Sequence, residues 1–266
     1  MFTTNPFSIL ADTVPPIALQ SFVIVMVALV IIGTLVDIIH KKNVKYFFEN
    51  AKKAKLSATK TLSAGEKISV ISKTIVSDIA TTSELGAGKR RVAHLLGMYG
   101  TILFWTGSVI MIFCYSSPSS DTPSYWPIIW HVGAIMTVVG GSWFWFFLRV
   151  DVYSEAHPWY RIIKADLFVL ALIASSLFGL IWSCLQSLNL NDRWDDKAFL
   201  VLYIISNLAL FGGVYWSKFA HMFYKPGASI QKNLAEADGS RDNLPPPADA
   251  PEQYGLGIDR EKAKHY

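Results

Sequence analysis

The chain has 266 residues, of which 52% are hydrophobic and 14% aromatic but only 17% charged. Soluble domains carry about 25% charged residues, and here the apolar residues cluster instead of spreading, which excludes a soluble enzyme and a disordered chain. Two cysteines frame no disulfide scaffold. A net charge of +4, spread along the sequence, suits loops beside anionic lipid and offers no nucleic-acid patch. The chain reads as an integral membrane protein.

In chain order, residues 1–16 form a short segment outside the membrane. Pro15-Pro16 then opens the first span, Ile17–Ile39. No Lys or Arg precedes it and His40-Lys41-Lys42 closes it, so it reads as a retained helix and not a cleaved signal. The loop 40–93 is long and basic. Asn43–Thr82 reads as helix twice, broken near Ser63-Ala64-Gly65, and in its second half Ile68, Ile71, Ile75, Val76 and Ile79 share one face. That face suits either a helix lying on the membrane or a docking surface for a soluble partner.

Four further spans follow: His94–Tyr115, Ile128–Leu148, Leu167–Leu188 and Phe199–Ser217, each about 20 apolar residues long as a membrane helix requires. Their continuous apolar runs fit a helical bundle and not barrel strands. The fold class is therefore an all-α integral membrane protein, a five-helix bundle over 17–226. Loop charges orient it. Twelve Lys/Arg lie in His40–Ala93, three in Arg149–Lys164 and seven from Lys218 onward, against two in Asn189–Ala198 and none in the other opposite-side segments. The N-terminus is then outside and the C-terminus cytoplasmic, in a multi-pass inner-membrane protein. Residues 227–266 read as a cytoplasmic proline-rich tail, with Leu244-Pro245-Pro246-Pro247 followed by the spaced apolar residues Tyr254, Leu256 and Ile258. It is expected to stay solvated or to order on a soluble partner instead of on the bundle.

Intramembrane ionisable residues are functional candidates. With this topology His94, opening the second span, and His221, just past the fifth, both sit at the cytoplasmic end. Two neutral imidazoles facing across a bundle can hold haem iron, and Arg90 and Arg91 are placed to pair with propionates. His40 and His157 lie at the same boundary, so the pairing stays open. His131 begins the third span from the outer side, where it is either hydrated at the interface or donates to a quinone carbonyl, with Tyr203 and Asn207 as neighbours. Cys114 and Cys184 read as free thiols or as a disulfide. Gly97, Gly100, Gly107, Gly140, Gly141, Gly212 and Gly213 read as close helix packing, and Trp126 and Trp130 as an interfacial belt. Nothing matches a C-x-x-C site, a phosphate-binding loop or a Ser/His/Asp motif.

Arg91-Val92-Ala93-His94 and Ser217-Lys218-Phe219-Ala220-His221-Met222 resemble segments of nitrate reductase gamma-type cytochrome b subunits. Lys164-Ala165-Asp166 is similar to the QmoC-type and heterodisulfide-reductase-type variants. The resemblance covers about residues 73–226. The N-terminus, the basic loop and the tail look most like AprM-type membrane subunits that accompany adenylylsulfate reductase. The resemblance implies one haem b on His94 and His221. Two-haem members carry further histidines where this chain has Phe104 and Tyr203, so an outer haem is not expected. It also implies a cytoplasmic flavin/iron–sulfur partner of the adenylylsulfate reductase kind and the quinone pool as electron partner, with no substrate chemistry in the chain itself. Two alternatives are a haem-free anchor and a small transporter; against the latter stand few intramembrane charges and the lack of an inverted repeat.

Overall fold

The computed structural model describes residues 2–85, 88–150, 158–188, 193–219 and 221–240, together with the backbone of 253–254 and 258–259; the side chains of Asn43 and His221 fall outside the description. The chain divides into two compact units, Met1–Ile39 with Val92–Ala220 and His40–Arg91 with His221–Tyr266. Apart from a two-residue antiparallel pair, Tyr254 opposite Ile258, the described elements are helical.

The first unit is a membrane body built from α1 (Pro6–Leu10), α2 (Pro16–Lys41), α5 (Lys89–Cys114), α6 (Tyr125–Trp143), α7 (Leu167–Ser187) and α8 (Trp194–Gly212). Among the described residues four helical runs are long and apolar enough to cross a membrane: Pro16–Lys41, Lys89–Cys114, Tyr125–Leu148 and Lys164–Ser187. The fifth expected span forms α8, which starts earlier than its apolar run and ends earlier too, at Gly212. Its first turn carries Asp195, Asp196 and Lys197. The two carboxylates there complement the positive end of the helix dipole, and Arg193 pairs with Asp195 at 2.9 Å.

Small residues set the packing. A Cβ on Gly100 would stand 2.6 Å from the Thr137 amide nitrogen, one on Gly133 2.5 Å from that of Phe104, and one on Gly140 2.5 Å from that of Gly97. So α5 and α6 touch backbone to backbone, antiparallel, along a ladder of glycines. This is the expected membrane solution, because lipid supplies no hydrophobic force to join helices and close van der Waals contact must do so. Gly141 meets Ile173 of α7, Gly213 meets Leu167, and Gly33 of α2 meets Val214. Ser175 donates to Asn207 across α7 and α8 at 3.2 Å. These registers make neighbouring helices alternate in direction. Most large side chains of α2, among them Ile24, Val27, Ile31 and Leu35, stay exposed on the protein, as suits a helix facing lipid.

At the end of the body away from Arg149, α1 inserts as a wedge. Asn5 caps it by accepting from the Phe7 amide at 3.0 Å and donates to the Tyr115 carbonyl at 2.9 Å. Phe7 then lies against Trp130 and Trp182, with ring centroids 5.9 and 5.7 Å apart. The N-terminal segment is thus part of the core. Trp130, expected at the interface, is fully buried and donates to the Ser108 hydroxyl at 2.8 Å; residue type alone cannot separate a belt tryptophan from a core one.

The second unit joins the long loop to the start of the tail. It contains α3 (Asn43–Leu56), α4 (Ala64–Thr74) continuing into a π-helical turn Ile75–Ala80, and α9 (His221–Ala237). Ser63 and Glu66 form a capping box that starts α4, at the break expected near Ser63-Ala64-Gly65. The composition places the tail after Pro226, yet α9 runs through Pro226 to Ala237 and packs on α4. Proline removes one helical hydrogen bond, and contacts with α4 offset that loss. Thr59 and Lys60 also donate to the Asp238 carbonyl. The spaced residues Tyr254 and Ile258 lie in the two-residue pair, while Leu256 and Leu244-Pro245-Pro246-Pro247 fall outside the described residues.

Asp78 ties this unit together. It accepts from Ser77 and Ser83 at 2.7 Å, from Asn233 at 2.7 Å and from Ser229 at 3.2 Å, the last two on α9. Burial opposes its ionisation, but the four hydrogen bonds outweigh that and bring the carboxyl down to about 2 from an ordinary value of 3.8. A depressed carboxylate stabilises the fold fully above its unfolded value, and that contribution is lost as pH falls through the folded one. Hydrogen-exchange protection of α9 should therefore hold from neutral pH to about pH 4 and fall between there and about pH 2. Asp78→Ala should lower it at neutral pH by about 2 kcal/mol, the range for a hydrogen-bonded charge, and flatten the acid transition.

Candidate functional site

The Arg149 end of the membrane body holds a buried polar constellation. There α6 changes into a π-helical turn, Phe144–Leu148, with the Arg149 amide bonded to the Phe144 carbonyl at 2.9 Å. The extra residue in the turn rotates the next residues by about 100° relative to an α-helix and brings Arg149 inward. Its side chain is 0% exposed. The guanidinium donates to Asp166 at 2.5 Å, to the Arg161 carbonyl at 2.6 Å and to the Pro158 carbonyl at 2.9 Å, and lies 4.2 Å over the Trp145 ring. Asp166 also accepts from the Ile163 amide at 2.9 Å. One buried ion pair thus fixes the path of the chain into α7.

Beside it, Ile162, Ile163, Lys164, Leu167, Leu170 and Trp216 line a groove of about 460 Å³ that opens outward. Trp159 and Tyr160 precede it and are also exposed. The volume is that of a small-molecule site, but the groove lies open at the surface and is not an enclosed cavity. An amphiphile with a long apolar chain and a polar head matches this lining, with Lys164 as the cation among the described lining residues.

At the opposite end His131 is 0% exposed. Nδ1 lies 2.7 Å from the Pro127 carbonyl, which can only accept, so that nitrogen carries the proton. In the neutral ring Nε2 then accepts from Ser183, 2.8 Å away. Phe2 and Trp130 cover the ring at centroid distances of 5.2 and 4.8 Å. Of the two readings of His131, hydration is excluded by burial. A quinone contact would have to displace a bond already made, and the partners are Pro127 and Ser183 in place of Tyr203 and Asn207. Phe104 and Tyr203 are buried with ring centroids 6.4 Å apart, and Tyr203 stacks on Trp182 at 5.8 Å.

The expected haem residues are placed as follows. His94 lies in the first turns of α5 and is exposed. His221 opens α9 and belongs to the other compact unit. Arg90 is half-buried, and Arg91 donates through Nε to the Thr81 carbonyl at 2.7 Å, within the loop unit. His40 is exposed at the end of α2, and His157 falls outside the described residues. In the membrane body, the space beside Trp105 is filled by Phe211 and Phe219, at 5.2 and 6.1 Å, with Phe168 against Phe219 at 5.3 Å. These rings lie about three turns along α5 from His94 and leave the haem expectation as it stands. Among the described residues no group of three His, Cys, Asp or Glu side chains converges on a metal position. Cys114 and Cys184 are both free thiols.

In the sequence Arg149 and Lys164 read as loop charges, and Lys164-Ala165-Asp166 as part of the resemblance. The signal that separates them is a cation directly after the apolar run Trp143–Leu148 and an aspartate directly before the one that opens at Leu167, which places both at helix ends. The chain matches no protein-family model, no curated protein and no solved structure.

Proposed function

We propose that this chain is the membrane subunit of a redox complex, anchoring a cytoplasmic flavin/iron–sulfur enzyme and linking it to the quinone pool. It crosses the inner membrane five times, with α8 as the fifth span, the N-terminus outside and the C-terminus in the cytoplasm. The orientation rests on the basic loops. The enzyme, by resemblance of the adenylylsulfate reductase kind, docks on the cytoplasmic side and does the substrate chemistry.

The observation that carries the reading is the groove at the Arg149 end, about 460 Å³ with five apolar residues and Lys164. A quinone ring lies against Trp216, its isoprenoid chain follows Leu167 and Leu170 into lipid, and the Lys164 ammonium donates to a carbonyl. Binding of a short-chain quinone to the purified protein tests it. Trp216→Ala should weaken that binding about tenfold, the loss of one aromatic contact; unchanged binding places the quinone elsewhere.

A haem-free anchor is the alternative to a haem relay. A haem b on His94 and His221 would supply a one-electron relay between enzyme and quinone. Reduced-minus-oxidised visible spectra of the purified subunit separate the two: a b-type α-band that disappears in His94→Ala carries the haem relay, and no band at all carries the haem-free anchor.

A further inference from the structure

We infer that α3 is an anionic-lipid sensor, a short helix that settles onto the bilayer surface only where the headgroups carry negative charge. Its composition and burial pattern are what point there. The helix begins directly after α2, the most apolar of the spans, with Lys42 in the left-handed conformation (φ 54°) between the two. Chain continuity therefore starts α3 at headgroup level.

One face of α3, with Val44, Phe47, Ala51 and Ala54, is half-buried within its own unit. The other face mixes two chemistries. Phe48, Lys52 and Leu56 recur every four residues as one stripe, with Phe48 66% and Leu56 84% exposed. Lys45, Lys53 and Lys55 flank it, and Glu49, the one acid on the helix, is matched by Lys45 at 3.7 Å. The face is thus cationic, with large apolar side chains standing out of it. Water gives Leu56 and Phe48 no partner, and lysine stems reach past apolar surface to hold their ammonium groups at phosphate level. An acidic bilayer surface satisfies both at once, because it is anionic outside and apolar a few ångströms deeper. An acidic protein surface would match the lysines but leave Phe48 and Leu56 uncovered. A zwitterionic bilayer would take the apolar groups without the electrostatic attraction.

The inference does not depend on the quinone or on the soluble enzyme, so it can fail without them. The test uses the full chain with Cys114→Ser and Cys184→Ser, spin-labelled at Phe48→Cys or at Leu56→Cys. It is reconstituted in nanodiscs of phosphatidylcholine alone or mixed with phosphatidylglycerol. In the mixed discs the ratio of oxygen to nickel-chelate accessibility at both labels should rise severalfold over the phosphatidylcholine value. The rise should disappear when Lys45, Lys52, Lys53 and Lys55 are changed to Gln, and again in high salt. Labels that stay water-accessible in both discs overturn the proposal and leave α3 as a protein-facing surface. Labels immersed equally in both overturn the dependence on headgroup charge.

Discussion

Replacing Arg149 with methionine is expected to destabilise the membrane body by about 3–5 kcal/mol, the cost of stranding a buried charge. The guanidinium is the partner of Asp166 and also of the Pro158 and Arg161 carbonyls. Its loss leaves the 4% exposed Asp166 with the Ile163 amide as donor and no cation, and two carbonyls without the guanidinium that held them. Asp166→Asn should cost less, about 1–3 kcal/mol, because Arg149 keeps both carbonyls and its place over Trp145. The pair Arg149→Met with Asp166→Leu should recover most of the loss, since an apolar pair of similar volume needs no desolvation of charge. Thermal unfolding in detergent of the four proteins measures this. Equal effects of the two single changes would show that the ion pair, and not the carbonyl bonds, carries the structure here. The groove should follow the same order, because Ile162, Ile163 and Lys164 lie in the segment that Arg149 holds.

Helical architecture was legible because lipid demands it: apolar runs about 20 residues long have few solutions. Four of the five expected spans meet that standard in the structure, and the fifth differs for a local reason, the charges of Asp195, Asp196 and Lys197 in its first turn. The glycines were legible as packing for the same physical reason. Gly97 and Gly212 qualify the rule, since a Cβ on either meets nothing within 4 Å. What the sequence hid was burial of single polar groups. His131 looks like a wet interfacial histidine until Phe2 and Ser183 cover and bond it. Arg149 looks like a positive-inside charge until a π-helical turn rotates it inward. The tail boundary was missed at Pro226, a common stop signal, because α9 is stabilised by Asn233 and Ser229 reaching Asp78, 155 and 151 residues earlier. Tertiary contacts of that separation leave no local pattern.

The glycine ladder makes a prediction of opposite signs on one helix. Gly100→Ala places a methyl 2.6 Å from the Thr137 amide nitrogen and 2.8 Å from the Gly133 carbonyl oxygen. Both are backbone atoms of α6, so no side chain can swing away and the two helices must separate. The neighbouring contacts along the ladder, Gly140 on Gly97 and Gly107 on Trp130, loosen with them. Overpacking of this kind costs about 1–3 kcal/mol. Gly133→Ala belongs at the upper end, because its Cβ meets the Phe104 amide at 2.5 Å and Gly100 oxygen at 2.8 Å. Gly97→Ala is the matched control on the same helix: nothing lies within 4 Å of its Cβ. There alanine only restricts the unfolded chain and improves helix propensity, so it should stabilise by about 0.5–1 kcal/mol. Unfolding midpoints of the three variants in one detergent decide the matter. If Gly97→Ala and Gly100→Ala shift the midpoint in the same direction, helix propensity and not backbone contact governs these positions, and the α5–α6 register is not the one that holds the bundle together.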